Sequence, residues 1–415
     1  MLRWGIPLYR LPLYALRNDI SRIEHLGVRI HTNRHISQED LQHLGKHYDA
    51  IVIGCGHGTS AALGCPGDDL VAVGSGLEFL KRIREGNIPP VDGLSVVIGG
   101  GNTAVDVARS IVRLGGSAII AYRRRRKDMP AFPGEVEMLL DEGVELRELL
   151  APVRVVQDNG ECVLTLSRMK VEGEDEKGRA LIARDGDAAE EIRAKRVFTA
   201  IGERAAHPWY IPPEQGKGIA VLNNCVVADR RGTPVTVFTG DLSSSVKSVV
   251  HAVASAKEAA IALDTCLTEG FDRIHQAVSA SMVGTGPSCS MEIYMEGQRS
   301  VRDAHIITFE EINTDYFQLT LGITQPRLLR HERLHTFEEV ELKISAGLAI
   351  KEAQRCFNCG LCNQCDNCYL FCPDMSVVHD GSTLGRHIDY DYCKGCGLCV
   401  VECPRNAMRL EEEEQ

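Results

Sequence analysis

Short apolar runs set against glycines recur along this chain, and they predict strands. Asp49-Ala-Ile-Val-Ile-Gly54 is an apolar run closed by glycine and reads as a buried strand. Leu94–Ile98 is a second such run, followed by three glycines. Helical periodicity then takes over across 102–114, Gly115-Gly116 ends it, and 118–122 returns to strand. Strand, Gly-rich turn, helix, strand is a βαβ unit. Pro89-Pro90 marks a boundary just before it, so 1–88 and 89–199 read as separate segments. Residues 200–270 return to strand–turn–helix texture and predict a helix over 248–267. Residues 271–349 have mixed texture, with a Gly/Pro/Ser-rich patch at 283–290, and read as a connector. The last segment, 350–415, carries the one internal repeat, a doubled cysteine run; low complexity is confined to 411–415.

Composition narrows the class. The 415 residues have room for two or three domains, and 44% apolar with 25% charged residues is ordinary for a soluble globular protein. A formal charge of −11 argues against nucleic acid as a partner. No apolar run reaches the roughly 18 residues of a membrane span, so none is expected. The start, MLRWGIPLYRLP, has no continuous apolar core and does not read as a secretory signal. Six cysteines outside the tail (Cys55, Cys65, Cys162, Cys225, Cys266 and Cys289) are scattered and form no C-x-x-C pair. That pattern suits a reducing cytoplasm and excludes a dithiol reductase centre.

The tail holds ten cysteines between Cys356 and Cys403. Two runs read C-x-x-C-x-x-C-x-x-x-C-P: Cys362, Cys365, Cys368, Cys372 with Pro373, and Cys393, Cys396, Cys399, Cys403 with Pro404. This is the two-cluster bacterial ferredoxin spacing, in which the fourth cysteine of each run ligates the other cluster. A zinc site uses paired C-x-x-C knuckles and does not want a third cysteine at the same step. The expected sets are therefore Cys362, Cys365, Cys368 with Cys403, and Cys393, Cys396, Cys399 with Cys372. Cys356 and Cys359 precede the first run at the same step. Three readings stand open: a shifted triplet of Cys356, Cys359 and Cys362, a further metal site, or free thiols.

The turn Gly99-Gly100-Gly101-Asn102-Thr103-Ala104 fits G-x-G-x-x-A between a predicted strand and a predicted helix. Gly99 permits the tight turn, Gly101 lets a pyrophosphate approach the backbone, and Ala104 lets helix and strand pack closely. The helix N-terminus offers free N–H groups to phosphate. After the next strand, where an NAD site often has an acidic residue, this chain has Arg123-Arg124-Arg125-Arg126-Lys127. A guanidinium suits a 2′-phosphate, which favours NADP through Arg123 and Arg124. Five basic residues exceed the need of one phosphate, so some of them form a solvated or docking face.

Together these stretches resemble the glutamate synthase small-subunit family of FAD- and NAD(P)-dependent oxidoreductases. The matching residues are Leu2-Arg-Trp-Gly-Ile-Pro-Leu-Tyr-Arg-Leu-Pro12, Val97-Ile-Gly-Gly-Gly-Asn-Thr-Ala-Val-Asp-Val-Ala-Arg109, Tyr122-Arg-Arg124 with Met129-Pro130, and Thr239-Gly-Asp241. The resemblance implies an α/β fold of two interleaved Rossmann-like domains, with a small C-terminal α+β bacterial ferredoxin domain. It assigns 1–88 and 200–270 to a FAD-binding domain and 89–199 to NAD(P), with Ala200-Ile201-Gly202 marking the crossing. It places Gly5 and Ile6 near the flavin, Gly240 and Asp241 at the FAD ribityl or pyrophosphate, and Asn102 and Thr103 at the NAD(P) pyrophosphate. The family also has a first G-x-G-x-x-G ahead of the R-[YW]-G-I-P segment. Nothing in 1–50 resembles it, so the FAD domain reads as incomplete at its start. A partner subunit completing the site, loss of FAD and a truncated start are the alternatives. A second departure is Gly54-Cys55-Gly56, where the family commonly has Ala-Thr-Gly.

FAD is expected on chemical grounds: hydride carries two electrons, a cubane takes one, and a flavin divides the pair. Fourteen histidines offer no recognisable triad or metal spacing, and His57 and His251 read as structural. Hydride transfer requires no acid or base from the protein, so no catalytic side chain is expected. The reading is a cytoplasmic flavoprotein subunit passing electrons between NAD(P)H and two [4Fe–4S] clusters inside a larger oxidoreductase. An anaerobic 2-oxoacid oxidoreductase of the phenylglyoxylate type is the leading complex and glutamate synthase the second. A relay or assembly subunit without its own reaction is the contrasting class.

Overall fold

The computed structural model describes residues 1–412 apart from 89, 177, 208, 210, 231–232, 297–304 and 382–384. Pro89 of the expected boundary and residues 413–415 of the acidic tail lie outside the described residues. The chain forms two compact units. One comprises 1–43, 55–211 and 325–343; the other comprises 44–54, 212–324 and 344–415.

The first unit is built on a five-stranded parallel sheet in the order Val73–Ser75, Arg196–Thr199, Leu94–Ile98, Ser117–Tyr122, Glu145–Glu148. Leu94–Ile98 is buried on both faces, which is why it reads as an unbroken apolar run. Val97 and Ile120 face helices Gly76–Arg84, Asn102–Arg113 and Pro133–Asp141, in a core with Phe79, Leu80, Val105, Ile111 and Leu139. Val96, Ile98 and Ile119 face a second layer, the antiparallel strands Leu150–Asp158, Glu161–Glu174 and Ala180–Ala194. That layer contributes Leu150, Val155, Leu164, Leu166 and Ile192. Each fully buried Val, Leu or Ile contributes roughly 1.5–3 kcal/mol.

The helix faces of this unit also bury charge. Arg109 and Arg113 each clasp Glu142 with two hydrogen bonds of 2.6–2.9 Å, and none of these three side chains is exposed. Arg333 pairs with Asp141 and lies 3.6 Å from Glu142. Arg10 reaches Asp106 at 2.9 Å and Glu135 at 3.2 Å. The ring of Tyr9 lies under the guanidiniums of Arg109 and Arg113, at 4.9 and 4.1 Å from its centroid. Tyr9 also accepts the Val340 N–H on its carbonyl, at 3.1 Å. The N-terminal segment and 325–343 are thus pinned to the helices by ions as well as by apolar contact.

The second unit has a four-stranded sheet in the order Ala50–Ile53, Val235–Phe238, Val226–Ala228, Ile219–Val221; the first pair is parallel and the rest antiparallel. Helix Val249–Thr268 packs on it through Ala259, Ile261 and Ala262. The cysteine-rich segment belongs to the same unit. It contains short helices Asn367–Leu370 and Leu398–Val401 and an antiparallel hairpin of Val377–His379 with Arg386–Ile388. Mixed α/β with Rossmann-type layers and a small C-terminal cysteine domain is the fold class the sequence predicts.

Candidate functional site

In the first unit the expected nucleotide turn lies where the strand order reverses. Strands are added on one side of Leu94–Ile98 by Ser117–Tyr122 and on the other by Arg196–Thr199. In open α/β sheets, ligands bind at the carboxyl ends beside such a point. Gly99 has φ +146°, and a Cβ there would stand 2.2 Å from the Ala200 carbonyl oxygen. A Cβ on Gly100 would stand 2.4 Å from the Tyr122 ring, whereas on Gly101 it would meet only Pro130, at 4.0 Å. Gly99 and Gly100 are therefore required by packing. Gly101 is open on the protein side, as an approach for a ligand demands. Gly101 is also the N-cap of helix Asn102–Arg113 and offers no side-chain oxygen to the first-turn N–H groups. Ala104 is fully buried in the helix core. Ser60, Leu77, Thr103, Thr199, Ala200, Gly202 and Glu203 line a small cleft beside the turn.

A neighbouring loop carries Met129-Pro130, a matching stretch to which the sequence assigns no role. Ala131 donates its N–H to the Gly100 carbonyl at 3.2 Å, and Phe132 donates its N–H to Asn102 Oδ1 at 3.1 Å. Asn102 therefore ties the Met129–Phe132 loop to the glycine turn. The Met129-Pro130 match was the signal for it.

The basic run divides by role. Arg125 bonds Asp128 at 2.7 and 3.0 Å and Glu174 at 2.9 Å, and Lys127 lies 3.1 Å from Glu174. The Arg125 guanidinium, with N–H groups from Ala180 and Arg125, holds the Asp128 carboxyl well below the usual carboxylate range. Arg124 donates Nε to the Ala180 carbonyl at 3.0 Å and is half-buried. Arg123 is exposed at the end of Ser117–Tyr122, and its side chain has no partner among the described residues. Arg125 and Lys127 are held by carboxylates, whereas the exposed Arg126 side chain, like that of Arg123, has no partner among the described residues.

Gly5 and Ile6 belong to the first unit and Gly240 and Asp241 to the second. Gly5 is buried against helix Gly76–Arg84, where a Cβ would stand 3.0 Å from Leu77 Cδ1. In the second unit, the Thr239-Gly240-Asp241 turn follows strand Val235–Phe238, with Gly240 at φ +70°. Ser255, fully buried on helix Val249–Thr268, fixes this turn. Its hydroxyl donates to the Asn224 carbonyl at 2.6 Å and accepts the Gly240 N–H at 2.8 Å. With its only proton thus placed, it also accepts the Thr239 hydroxyl at 2.7 Å. Lys247 Nζ bonds the carbonyls of Asp241 and Ser244, and burial lowers its pKa. The Ser255→Ala variant leaves buried groups unpaired and is expected to lose about 2 kcal/mol of stability. A urea midpoint unchanged from wild type would contradict this account of the turn. His57 and His251 have structural partners, the Glu203 carbonyl at 3.2 Å and the Ser248 hydroxyl at 2.7 Å.

The cysteine runs share a backbone. The second residue after the first cysteine is left-handed in both, Gln364 at φ 61° and Gly395 at φ 64°. The residue after the second cysteine is also left-handed, Asp366 at φ 64° and Gly397 at φ 75°. The third cysteine, Cys368 or Cys399, then falls in a short helix. After the fourth cysteine, Met375 and Asn406 match at φ 50° and 49°. There Ser376 and Ala407 donate N–H to Cys372 and Cys403 sulfur, at 3.3 and 3.2 Å. Burial pushes the Cys368 thiol up, and the neighbouring Cys362, Cys365 and Cys403 sulfurs push it further. Burial likewise raises Cys399, with Cys396 and Cys393 beside it. Hydrogen bonds from Ser376 lower Cys372. Among the described residues no three His, Cys, Asp or Glu side chains converge as a single-ion site would require. The neighbours of Cys368 are the members of the expected first ligand set.

Residues 15–256 match the pyridine nucleotide-disulphide oxidoreductase family, a stretch longer than half the chain. The chain belongs to that family. Residues 386–409 match the 4Fe-4S binding domain, which covers the second cysteine run. The beta subunit of an NADP(+)-dependent formate dehydrogenase from Moorella thermoacetica is 32% identical over 65% of this chain and 39% of its own length. The beta subunit of an NADPH-Fe(3+) oxidoreductase from Geobacter sulfurreducens is 28% identical over 86% of this chain and 55% of its own. The small chain of an NADPH glutamate synthase from Halomonas elongata is 28% identical over 51% of this chain and 47% of its own. The chain therefore spans from about two fifths to just over half of these relatives. The fold is that of Mycobacterium tuberculosis FprA in complex with NADPH, with a TM-score of 0.51 at 17% identity, covering 71% of this chain and 78% of that one. The family resemblance read from the motifs is borne out: this is a pyridine-nucleotide oxidoreductase chain carrying a ferredoxin-type domain. No helix among the described residues is long and apolar enough to cross a membrane.

Proposed function

We propose that this oxidoreductase chain moves electrons between NAD(P)H and two [4Fe–4S] clusters, with FAD between them, as one subunit of a larger enzyme. The observation that carries the proposal is the presence, in one polypeptide, of an open glycine turn at a sheet switch point and two cysteine runs of matching backbone. Gly99, Gly101, Asn102, Thr103 and Ala104 would hold the NAD(P) pyrophosphate, and Arg123 with Arg124 the 2′-phosphate. Gly240 and Asp241, fixed by Ser255, would hold FAD in the second unit; the assignment of Gly5 and Ile6 to the flavin rests on the family resemblance. Cys362, Cys365, Cys368 and Cys403 would bind one cluster, and Cys393, Cys396, Cys399 and Cys372 the other. FAD, when bound, supplies the exchange between two-electron hydride chemistry and one-electron cluster chemistry. The residues themselves bind and orient: backbone N–H groups meet phosphate, and thiolates fix iron.

The domain division proposed is FAD segments 1–88 and 200–270 around an NAD(P) segment 89–199, a connector 271–349 and a ferredoxin domain 350–415. The relatives are named as subunits or small chains, which supports partner subunits. We place the complex in the cytoplasm. The formate dehydrogenase and Fe(3+) oxidoreductase relatives leave the finer choice of a 2-oxoacid such as phenylglyoxylate resting on the sequence resemblance. The Halomonas relative keeps glutamate synthase as the second reading.

Anaerobically purified chain is expected to carry flavin absorbance and to reduce a dye with NADPH in preference to NADH. An Arg123→Ala variant should raise KM for NADPH about tenfold or more, the cost of a charge-assisted hydrogen bond, and leave KM for NADH unchanged. Absence of both flavin and NAD(P)H-dependent dye reduction, with the partner subunits present, sinks the enzyme reading in favour of a relay subunit.

A further inference from the structure

Cys356 and Cys359 lie outside both expected ligand sets, yet their segment is shaped like them. In Cys356-Phe-Asn-Cys359-Gly-Leu-Cys362 the residues Asn358 and Gly360 are left-handed, at φ 48° and 76°. These are the positions that are left-handed at 364 and 366, and at 395 and 397. Asn358 donates its N–H to Cys356 sulfur at 3.4 Å, as Gly395 does to Cys393 sulfur at 3.5 Å. A non-glycine residue at positive φ is uncommon and needs a local reason. Here the same unusual backbone recurs in the triplets 356–362, 362–368 and 393–399, whereas the overlapping triplet Cys359, Cys362, Cys365 lacks it, since Leu361 and Asn363 are not left-handed.

The second observation is the place of Cys403. Asn367, between Cys365 and Cys368, donates its side-chain amide to the Glu402 carbonyl at 3.2 Å. Gly360, between Cys359 and Cys362, donates its N–H to the Arg405 carbonyl at 2.7 Å. The two triplets thus bond the chain on either side of Cys403, the fourth ligand, and they share Cys362. They differ in one respect: Cys368, like Cys399, falls in a short helix and Cys362 does not. Cys356 and Cys359 are exposed, as is the shared Cys362.

We propose that Cys356 and Cys359 are a reserve ligand pair for the first [4Fe–4S] cluster. Cys362 and Cys403 are common to two ligand sets: the resident one completed by Cys365 and Cys368, and the alternative completed by Cys356 and Cys359. This deepens the two-cluster reading and rests on it.

The test uses the full chain, reconstituted anaerobically, with iron and sulfide analysis, electron paramagnetic resonance and native alkylation by iodoacetamide. Wild type should hold about eight irons and about eight sulfides, with Cys356 and Cys359 alkylated and the other eight tail cysteines protected. A wild type holding about four irons removes the two-cluster reading itself, and this inference with it, before any variant is compared. The Cys365→Ser/Cys368→Ser variant should keep about eight irons and lose alkylation at Cys356 and Cys359. Adding Cys356→Ser and Cys359→Ser should drop it to about four, with the second cluster's signal showing that the domain has folded. Single Cys365→Ser should show the same transfer of protection in a milder form. The inference is overturned if the double variant already holds about four irons with Cys356 and Cys359 still alkylated. It is also overturned by about twelve irons in wild type, which means a third cluster. Loss of about four irons in Cys356→Ser/Cys359→Ser overturns it too, since the pair is then obligatory.

Discussion

Replacing Glu142 by glutamine is expected to remove about 3–5 kcal/mol of stability from the first unit. The Glu142 carboxylate is fully buried and takes both prongs of Arg109 and of Arg113. The variant leaves Arg113 without a carboxylate and Arg109 with Glu135 alone, and uncompensated buried charge is the costly case. Burial alone would raise the Glu142 pKa, but hydrogen bonds and charge from Arg109 and Arg113 outweigh it and hold it below 4.5. A carboxylate lowered in the folded state adds stability above its unfolded value and loses it as pH falls through its folded value. The difference between wild type and Glu142→Gln is therefore full at neutral pH and shrinks below about 4.5. Asp106, which burial pushes up to about 7 against the pull of Arg10, has the opposite slope. It is present in both proteins and cancels in the difference. Urea titration read by hydrogen exchange in helices Asn102–Arg113 and Pro133–Asp141 measures the effect. A loss under about 1 kcal/mol would show that the ions behave as a surface pair.

That network was invisible in the sequence, for a physical reason. Charged residues on a predicted helix are ordinarily solvated, and the partners here are far apart: Arg109 and Glu142 by 33 residues, Arg333 and Asp141 by 192. The one local signal was Asp106, Arg109 and Arg113, which fall on one face of their helix at three- and four-residue steps. By contrast the elements around the glycine turn were legible. Leu94–Ile98 and Ser117–Tyr122 are apolar because helices and a second sheet cover both faces, and glycines delimit them. The predicted helices 102–114 and 248–267 differ from Asn102–Arg113 and Val249–Thr268 by a residue at one or both ends. The antiparallel layer from 150 to 194 was not legible. Only one face of it is buried, and stretches such as Asp185–Glu191 are exposed and polar enough to pass for loop.

The candidate sites were legible to different depths. Spacing alone supplied the cysteine runs, since a cubane demands ligands at fixed steps. The shared left-handed positions were half visible, as glycine at 360, 395 and 397, and hidden where Asn358, Gln364 and Asp366 adopt the same backbone. The separation of Arg123 from Arg125 and Lys127 depended on Asp128 and Glu174. Glu174 is 49 residues from Arg125, so no local pattern could tell the paired guanidinium from the unpaired ones.

Two alanine substitutions two residues apart are expected to fail in different ways, and the contrast tests the proposed nucleotide site. Gly99→Ala places a methyl 2.2 Å from the Ala200 carbonyl at φ +146°, where an L-residue is strained. The turn must move, and with it the N-terminus of helix Asn102–Arg113. Stability of the first unit should fall by about 2 kcal/mol or more, and NADPH binding should weaken at least about 100-fold as the helix end loses its aim. Gly101→Ala has φ −88° and no neighbour nearer than 4.0 Å, so the free chain should fold and melt like wild type. Its methyl stands on the side left open for pyrophosphate, so NADPH affinity alone should drop, by about tenfold or more. Titration calorimetry with NADPH beside thermal melts of both variants separates the cases. A Gly101→Ala chain that binds NADPH as tightly as wild type would remove the pyrophosphate from this turn. A Gly99→Ala chain of wild-type stability would mean that the close approach to Ala200 is not a constraint on the fold.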